Sequence, residues 1–179
     1  GASLPNGSIL EEVRNGSGAF VSGMNFEIGI SPSSKFSFQM GGTLQNSKYK
    51  EGQVLFEADG SNPNENDIII SEFVRNPNVY GYLNTNISIF EETSLDLTGT
   101  YTGPMSVPLV ISDSGFLQLN ETDSFYDFNL KLNQHIDITE SFQMNIYGGI
   151  QNFFNAYQDD FDTGATRDSD YVYGPSQPR

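Results

Sequence analysis

The sequence contains no cysteine, no tryptophan and a single histidine among its 179 residues. The lack of cysteine excludes disulfide bonds, thiol catalysis and cysteine-ligated zinc sites. Only eight Lys and Arg residues stand against 23 Asp and Glu residues, which gives a formal net charge of −15. Nucleic-acid binding requires a basic face, and attraction to anionic lipid requires a basic segment. The charge therefore argues against both kinds of partner, and we expect no nucleic acid.

Long hydrophobic runs are absent as well. No stretch approaches the roughly 20 apolar residues that a membrane-spanning helix requires. Residues 1–12 lack the basic start and the apolar run of a signal peptide. A charged fraction of 17% is low for a disordered chain, and an aromatic fraction of 13%, all Phe and Tyr, is high for one. The chain is therefore either a soluble folded protein or one that meets a membrane as β-strands.

Apolar and polar residues alternate with a period of two, which is the pattern of β-strands with two different faces. In one run Phe36, Phe38 and Met40 share a face opposite Ser37 and Gln39. No segment sustains a helical period. We therefore predict an all-β fold with strands near residues 18–30, 36–48, 79–90, 94–103, 124–136 and 142–154.

The connections between these strands are of two kinds. Three are tight turns, and the long loops are residues 51–78, 104–123 and 155–179. In an antiparallel up-and-down meander, all tight turns fall at one end and all long loops at the other. Structureless loops of this length are uncommon in soluble domains, whereas outer-membrane barrels combine short turns with long external loops. The pattern favours a segment of a transmembrane β-barrel.

The polar face of the predicted strands is rich in Asn, Gln, Thr and Ser and carries few charges. Such a face suits a wet barrel lumen, and the apolar face would then contact outer-membrane lipid. The lumen-facing candidates are Asn25, Glu27, Gln39, Asp96, Asn129, Lys131 and Asn145. A soluble β-sandwich that serves as a binding or adhesion module of a secreted or surface protein has the same alternation, and it stands as the alternative.

The number of strands predicts a piece of a larger barrel. Six strands are fewer than the roughly eight of the smallest usual membrane barrels. An open sheet edge in lipid leaves backbone groups without hydrogen-bond partners. We therefore expect further strands beyond those in this chain.

The C-terminal third resembles a known family. Residues 148–164 read GGIQNFFNAYQDDFDTG, and residues 167–175 read RDSDYVYGP, with Pro178-Arg179 at the end. They resemble the penultimate strand and last loop of TonB-dependent outer-membrane receptors, in versions from Bacteroidetes-type bacteria. Upstream, NGSGAFVSGMNFE at residues 15–27 and LTGTYTGPM at residues 97–105 are also similar to the family.

This resemblance implies about six strands, roughly the last quarter, of a 22-strand-type barrel. It places the protein in the outer membrane of a Gram-negative bacterium. The family takes up scarce ligands such as ferric siderophores, haem, cobalamin or glycans, and its long loops would help to capture them. Implied partners are an N-terminal plug domain, the TonB complex and a surface lipoprotein. The plug and the final strand are expected to lie outside this sequence.

Few residues suggest chemistry of their own. The spacing of Asp160, Asp162 and Gly164 would bring oxygen ligands for Ca²⁺ together, but a carboxylate is missing at the position where an EF-hand loop needs its last ligand. A solvated acidic loop is the simpler interpretation. His135 is interpreted as a lumen or rim residue and not as a base or ligand. No nucleophile elbow, dinucleotide-binding loop or zinc-protease motif occurs. We predict no catalytic residues, no cofactor and no enzyme activity.

Overall fold

The computed structural model describes residues 16, 18–58, 60, 63, 66–110 and 117–158. Within these residues it contains nine strands and no helix, which confirms the all-β fold. The strands are β1 (Ala19–Ser33), β2 (Phe36–Phe56), β3 (Ile68–Glu72), β4 (Val79–Phe90), β5 (Thr93–Thr102), β6 (Ser106–Val110), β7 (Leu117–Glu121), β8 (Phe125–Thr139) and β9 (Phe142–Ile150). None of the described residues lies in a helix long and apolar enough to cross a membrane.

Six of the strands form one antiparallel meander in the order β1-β2-β4-β5-β8-β9. The antiparallel meander confirms the predicted topology. Its two outer strands each have one strand partner among the described residues, because β1 pairs with β2 and β9 pairs with β8. The sheet is therefore open at both edges in the described part of the chain.

Two of the predicted loops contain strands, which corrects their extent. The segment 51–78 begins inside β2, and β3 pairs with the part of β2 that extends beyond β4, through Gln53–Ile70 and Val54–Ile69. The segment 104–123 contains the separate β6–β7 hairpin. The reason is that β2 is long enough to leave an unpaired stretch of backbone, and Ile68-Ile69-Ile70 supplies three β-branched residues that favour a strand there.

The three tight connections are built alike. Two residues join β1 to β2, β4 to β5 and β8 to β9. Each of these hairpins has a shift of register next to its turn, between Ile30 and Ser33, Ser88 and Phe90, or Asp137 and Thr139. A β-bulge at such a place raises the local twist of the hairpin. All three turns lie at one end of the meander, which we call the turn end, and the longer connections lie at the opposite loop end.

The last strand ends earlier than the sequence predicts. The prediction runs to residue 154, whereas β9 ends at Ile150. Asn152 adopts a left-handed conformation, with φ of 47°. Its amide group donates to the Ala156 carbonyl at 2.6 Å, and its side-chain oxygen accepts from the Ala156 N–H at 2.8 Å. This local ring turns the backbone and ends the strand.

Buried apolar side chains occur at the loop end. Met105, Val107 and Leu109 form a small cluster, and Ile70 and Phe125 are also buried. Backbone hydrogen bonds from Arg75 to Ser106 and from Thr122 to Met105 hold the β6 segment at this end. None of the apolar residues along the middle of the six-strand meander is buried. The meander is thus a single layer, with a small core beside one end.

Candidate functional site

The polar face of the meander lines one concavity of about 1200 Å³. Residues from β1, β2, β4, β5, β8 and β9 contribute to it, so the concavity runs across the whole sheet. Most of the residues that line it belong to the polar face, and they are Gly29, Ser31, Ser37, Gln39, Asn84, Asn86, Asp96, Thr98, Asn129, Lys131, Tyr147, Gly149 and Gln151. The sheet is therefore curved towards its polar side.

A first group of contacts joins β1, β2 and β4 across this face. Gln39 Nε2 donates to Glu27 Oε1 at 2.9 Å, and the hydroxyl group of Tyr82 also interacts with the Glu27 carboxylate. Gly41 pairs with Glu27 on one side and with Tyr82 on the other. A Cβ at Gly41 would come within 2.6 Å of the Tyr82 ring. The missing side chain is therefore what allows Tyr82 to reach across β2.

Asp96 is the centre of a second group. Its Oδ1 accepts a hydrogen bond from Asn86 Nδ2 at 2.6 Å, and its Oδ2 accepts one from Asn133 Nδ2 at 2.7 Å. The donors come from β4 and β8, the two neighbours of β5 in the sheet. One carboxylate thus connects three adjacent strands, and hydrogen bonds to a charged acceptor are stronger than neutral ones.

The charges inside the concavity nearly cancel. Asp96 and Lys131 are its charged lining residues, and they are direct partners in the β5–β8 register. The Lys131 ammonium lies 5.2 Å from the centre of the Tyr147 ring. The net charge of −15 on the whole chain therefore does not come from this surface. A surface of amides, hydroxyls and one carboxylate beside one ammonium group suits contact with neutral polar groups.

All seven lumen-facing candidates lie on this polar face, by the alternation of their strands. Gln39, Asp96, Asn129 and Lys131 line the concavity. Asn25 lies further towards the loop end, where its Oδ1 accepts from the Thr43 hydroxyl at 2.8 Å. Whether this face borders a lumen stays a prediction.

Several contributors to the face were not singled out from the sequence. Tyr82, Asn86 and Asn133 are as central to the two groups of contacts as the predicted residues. Their side of the strand follows from the alternation, and that signal could have found them. Their partners depend on the register between strands, which the alternation does not fix.

The long loops were the predicted ligand-capturing segments. Residues 51–56 belong to β2, and the 104–123 segment contributes the β6–β7 hairpin. In the first of these loops Gln45 Nε2 donates to Asn76 Oδ1 at 3.1 Å, and Asn76 Nδ2 donates to Ser47 Oγ at 2.9 Å. These bonds fix part of the 51–78 loop to β2. The calcium candidates Asp160 and Asp162, with most of the 155–179 loop, lie outside the described residues.

At the turn end, three side chains with metal-binding atoms come together. Glu92, His135 and Asp137 each offer one ligand atom, and these atoms all lie within 4.8 Å of one another. The backbone N–H of His135 donates to the Glu92 carbonyl at 2.8 Å, which fixes the β4–β5 turn beside β8. Sequence reasoning missed this cluster because Glu92 and His135 are far apart along the chain.

No family model, no curated protein and no solved structure matches this chain.

Proposed function

We propose that this chain is a C-terminal segment of the β-barrel of a TonB-dependent outer-membrane transporter, which takes up a scarce ligand such as a ferric siderophore, haem, cobalamin or a glycan. The segment contributes wall strands that contact lipid on one side and face a lumen on the other. Its loop end faces outward and helps to capture the ligand. A plug domain, the TonB complex and a surface lipoprotein are its partners in this proposal.

The observation that carries the proposal is the distribution of side chains in the single-layer sheet, with apolar side chains on one face and polar side chains on the other. On the apolar face Met24 is 61% exposed, Ile30 51%, Ile146 51% and Leu132 46%. The polar side chains of the same strands line the concave side. A soluble domain turns its apolar face inward, and large exposed apolar patches mark interaction or membrane surfaces. An apolar outside with a polar inside is the arrangement of an outer-membrane barrel.

The same observation bears on the soluble alternative. A β-sandwich covers the apolar face of one sheet with a second sheet about 10 Å away. The other sheet in the described part of the chain is the two-stranded β6–β7 hairpin, which is held at the loop end through Ser106. The apolar face of the meander is left uncovered by it, as the exposure of Ile28 and Ile146 indicates. This favours lipid contact over a sandwich.

The location of the turns gives further support. All three two-residue turns lie at one end, and the β2–β3–β4 connection and the β6–β7 hairpin lie at the other. Outer-membrane barrels have short periplasmic turns and longer extracellular loops. Among outer-membrane barrels, the resemblance of residues 148–164 to the end of TonB-dependent receptors favours this family.

Because the chain has no tryptophan, single tryptophans can report on the two faces separately. Leu83 and Asn84 are neighbours in the middle of β4, with Leu83 on the apolar face and Asn84 on the polar face. We expect Leu83→Trp in vesicles of brominated phosphatidylcholine to be quenched by the lipid, and Asn84→Trp to be quenched by aqueous acrylamide instead.

The proposal fails if the chain is monodisperse in buffer without detergent and Leu83→Trp is shielded from acrylamide there. That result would mean that protein covers the apolar face, as in a soluble binding module. Equal quenching of both tryptophans by acrylamide in the presence of vesicles would also contradict lipid contact.

A further inference from the structure

The turn end holds a cluster in which the His135 ring is hydrogen-bonded on one side and faces two carboxylates on the other. His135 Nδ1 lies 2.7 Å from Asn145 Oδ1, so the ring donates its Nδ1 proton to this amide oxygen. His135 Nε2 lies 3.2 Å from Asp137 Oδ1. In the neutral ring Nε2 then carries a lone pair, and it faces a carboxylate oxygen that also has only lone pairs. A positive charge at this place, on the ring or between the two atoms, makes the contact favourable.

A proton can supply this charge, and so can a metal ion. The Glu92 carboxylate adds a third donor to the same place, and the ligand atoms of Glu92, His135 and Asp137 all lie within 4.8 Å of one another. A single proton can be shared by two of these atoms, but a metal ion can be shared by all three. Donor atoms around one zinc ion lie roughly 3–3.5 Å apart, given bond lengths of about 2 Å. Small rotations of these exposed side chains can bring the donor atoms from within 4.8 Å of one another to the separation that zinc requires.

The register of the strands determines where these donors lie. Thr93 and Gln134 are register partners, so Glu92 and His135 are opposite each other at the next position. His135 and Asp137 are two residues apart on β8 and therefore lie on the same face. The Asp137 side chain is 57% exposed and that of His135 is 33% exposed, so an ion can reach the cluster from solvent.

Asn145 on β9 completes the arrangement. Metal-binding histidines usually donate their second ring N–H to a neighbouring oxygen, which fixes the tautomer and the direction of the ring. The bond from His135 Nδ1 to Asn145 Oδ1 has this form. It is an observation separate from the cluster itself, since it concerns the far side of the ring. It orients Nε2 towards the two carboxylates.

We propose that Glu92, His135 and Asp137 form a binding site for a divalent transition-metal ion of the zinc class. One imidazole and two carboxylates suit Zn²⁺ and similar ions, because imidazole is a preferred ligand of Zn, Cu and Ni. Calcium is disfavoured, since it takes six to eight oxygen ligands. Three protein ligands leave a further position for water or another ligand. The site joins the β4–β5 turn to the end of β8 and does not depend on the proposed transport function.

The sequence offers a clean assay, because His135 is the only histidine and cysteine is absent. We suggest treating the untagged chain with diethylpyrocarbonate, which modifies imidazole. Absorbance then follows the modification reaction. Zn²⁺ at micromolar concentration should slow the modification of His135 at least tenfold, and Ca²⁺ or Mg²⁺ at the same concentration should not. This test uses the unaltered protein, so it does not depend on a variant folding.

Variants then assign the ligands. By calorimetry, Glu92→Gln and Asp137→Asn should each weaken Zn²⁺ binding by about tenfold or more, and His135→Gln should abolish it. Asn145→Ala should weaken it about tenfold, as loss of an orienting contact usually does. Asp123→Asn, which removes an exposed carboxylate at the loop end, is the matched control and should leave binding unchanged. Circular dichroism checks that each variant keeps its strands.

Two results would overturn the proposal. Zn²⁺ that fails to protect His135 in the unaltered chain would show that the imidazole is not a ligand. Equal protection by Ca²⁺, or equal weakening by Asp137→Asn and Asp123→Asn, would show a general attraction of cations to an acidic surface.

Discussion

At the scale of single residues, Gly41 allows a contact across a whole strand. Glu27, Gly41 and Tyr82 stand in one row on β1, β2 and β4. With no side chain at the middle position, the Tyr82 ring lies over Gly41 and its hydroxyl group reaches Glu27. Glycine inside a strand commonly marks such a close approach. In this sheet the Tyr82 ring occupies the space that the missing side chain of Gly41 leaves.

We predict that Gly41→Ala lowers the free energy of unfolding by about 1–3 kcal/mol, the usual cost of overpacking. The new methyl group would lie within 2.6 Å of the Tyr82 ring and would displace it from Glu27. Gly29→Ala is the matched control, because it lies on the same face and nothing stands within 4 Å of an added Cβ. Urea unfolding followed by circular dichroism measures both variants. Equal stability of the two would contradict this account of Gly41.

The sequence predicted the face of a residue better than its partners. Alternation placed Glu27, Gln39 and Asp96 on the polar side, because successive side chains of a strand point to opposite sides. It did not connect Asp96 with Asn86 and Asn133, since those contacts depend on which residues of neighbouring strands stand opposite each other. The Glu92–His135–Asp137 cluster was missed for the same reason.

At the scale of elements, the end of β9 is set by one side chain. Asn152 closes a ring with Ala156 through two hydrogen bonds and holds a positive φ. The following Phe153 and Phe154 rings stack at 4.2 Å, and Phe154 meets Phe128 of β8 edge-on at 5.5 Å. The turn of the backbone at residues 152–156, which we call the corner, therefore places two aromatic rings beside the β8–β9 hairpin.

Asn152→Ala should destabilise this corner by about 1–2 kcal/mol, because alanine loses both hydrogen bonds and is strained at positive φ. Asn152→Gly should cost less, since glycine loses the bonds but adopts the conformation without strain. Thermal unfolding compares the pair, and hydrogen exchange of the Ala156 amide reports on the corner directly. If the alanine variant is as stable as the glycine variant, the backbone conformation is not what limits the corner.

Short strands were harder to predict than long ones. The β6 strand contains Pro108, which cannot donate to a ladder and is read as a loop signal. The structure accommodates it because, among the described residues, β6 pairs with β7 alone and leaves its other edge without a strand. The extension of β2 through Glu51 and Gly52 falls in the segment 51–78, whose many Asp, Asn, Pro, Gly and Ser residues predict a loop. The six long strands were predicted because each spans enough residues for the period of two to be unmistakable.

At the scale of the whole molecule, the two faces of the meander suit different surroundings, one polar and one apolar. The polar face curves around a concavity with balanced charge, and the apolar face is exposed. The alternation in the sequence predicted both faces but not their curvature, which arises from twist and bulges summed over six strands.

Lysine substitutions on the two faces should therefore differ if the apolar face contacts lipid. Leu83→Lys places a charge on that face, and such a change costs about 2–4 kcal/mol near the middle of a bilayer. Asn84→Lys places the same charge in the polar concavity and should alter stability by only about 0.5 kcal/mol, as ordinary surface substitutions do. Urea titration of the chain in phosphatidylcholine vesicles measures both. A larger loss for Asn84→Lys would reverse the assignment of the faces.

The two-residue turns have a consequence for how the chain reaches its native state. Strands β1 and β2, β4 and β5, and β8 and β9 meet through minimal connections, and hairpins of this kind form in microseconds. Pairing β2 with β4 must first close the segment 45–78, and pairing β5 with β8 must close 103–124. The entropy of loop closure grows with loop length. From the lengths of the connections we therefore expect the three hairpins to form early and the contacts between hairpins to form later.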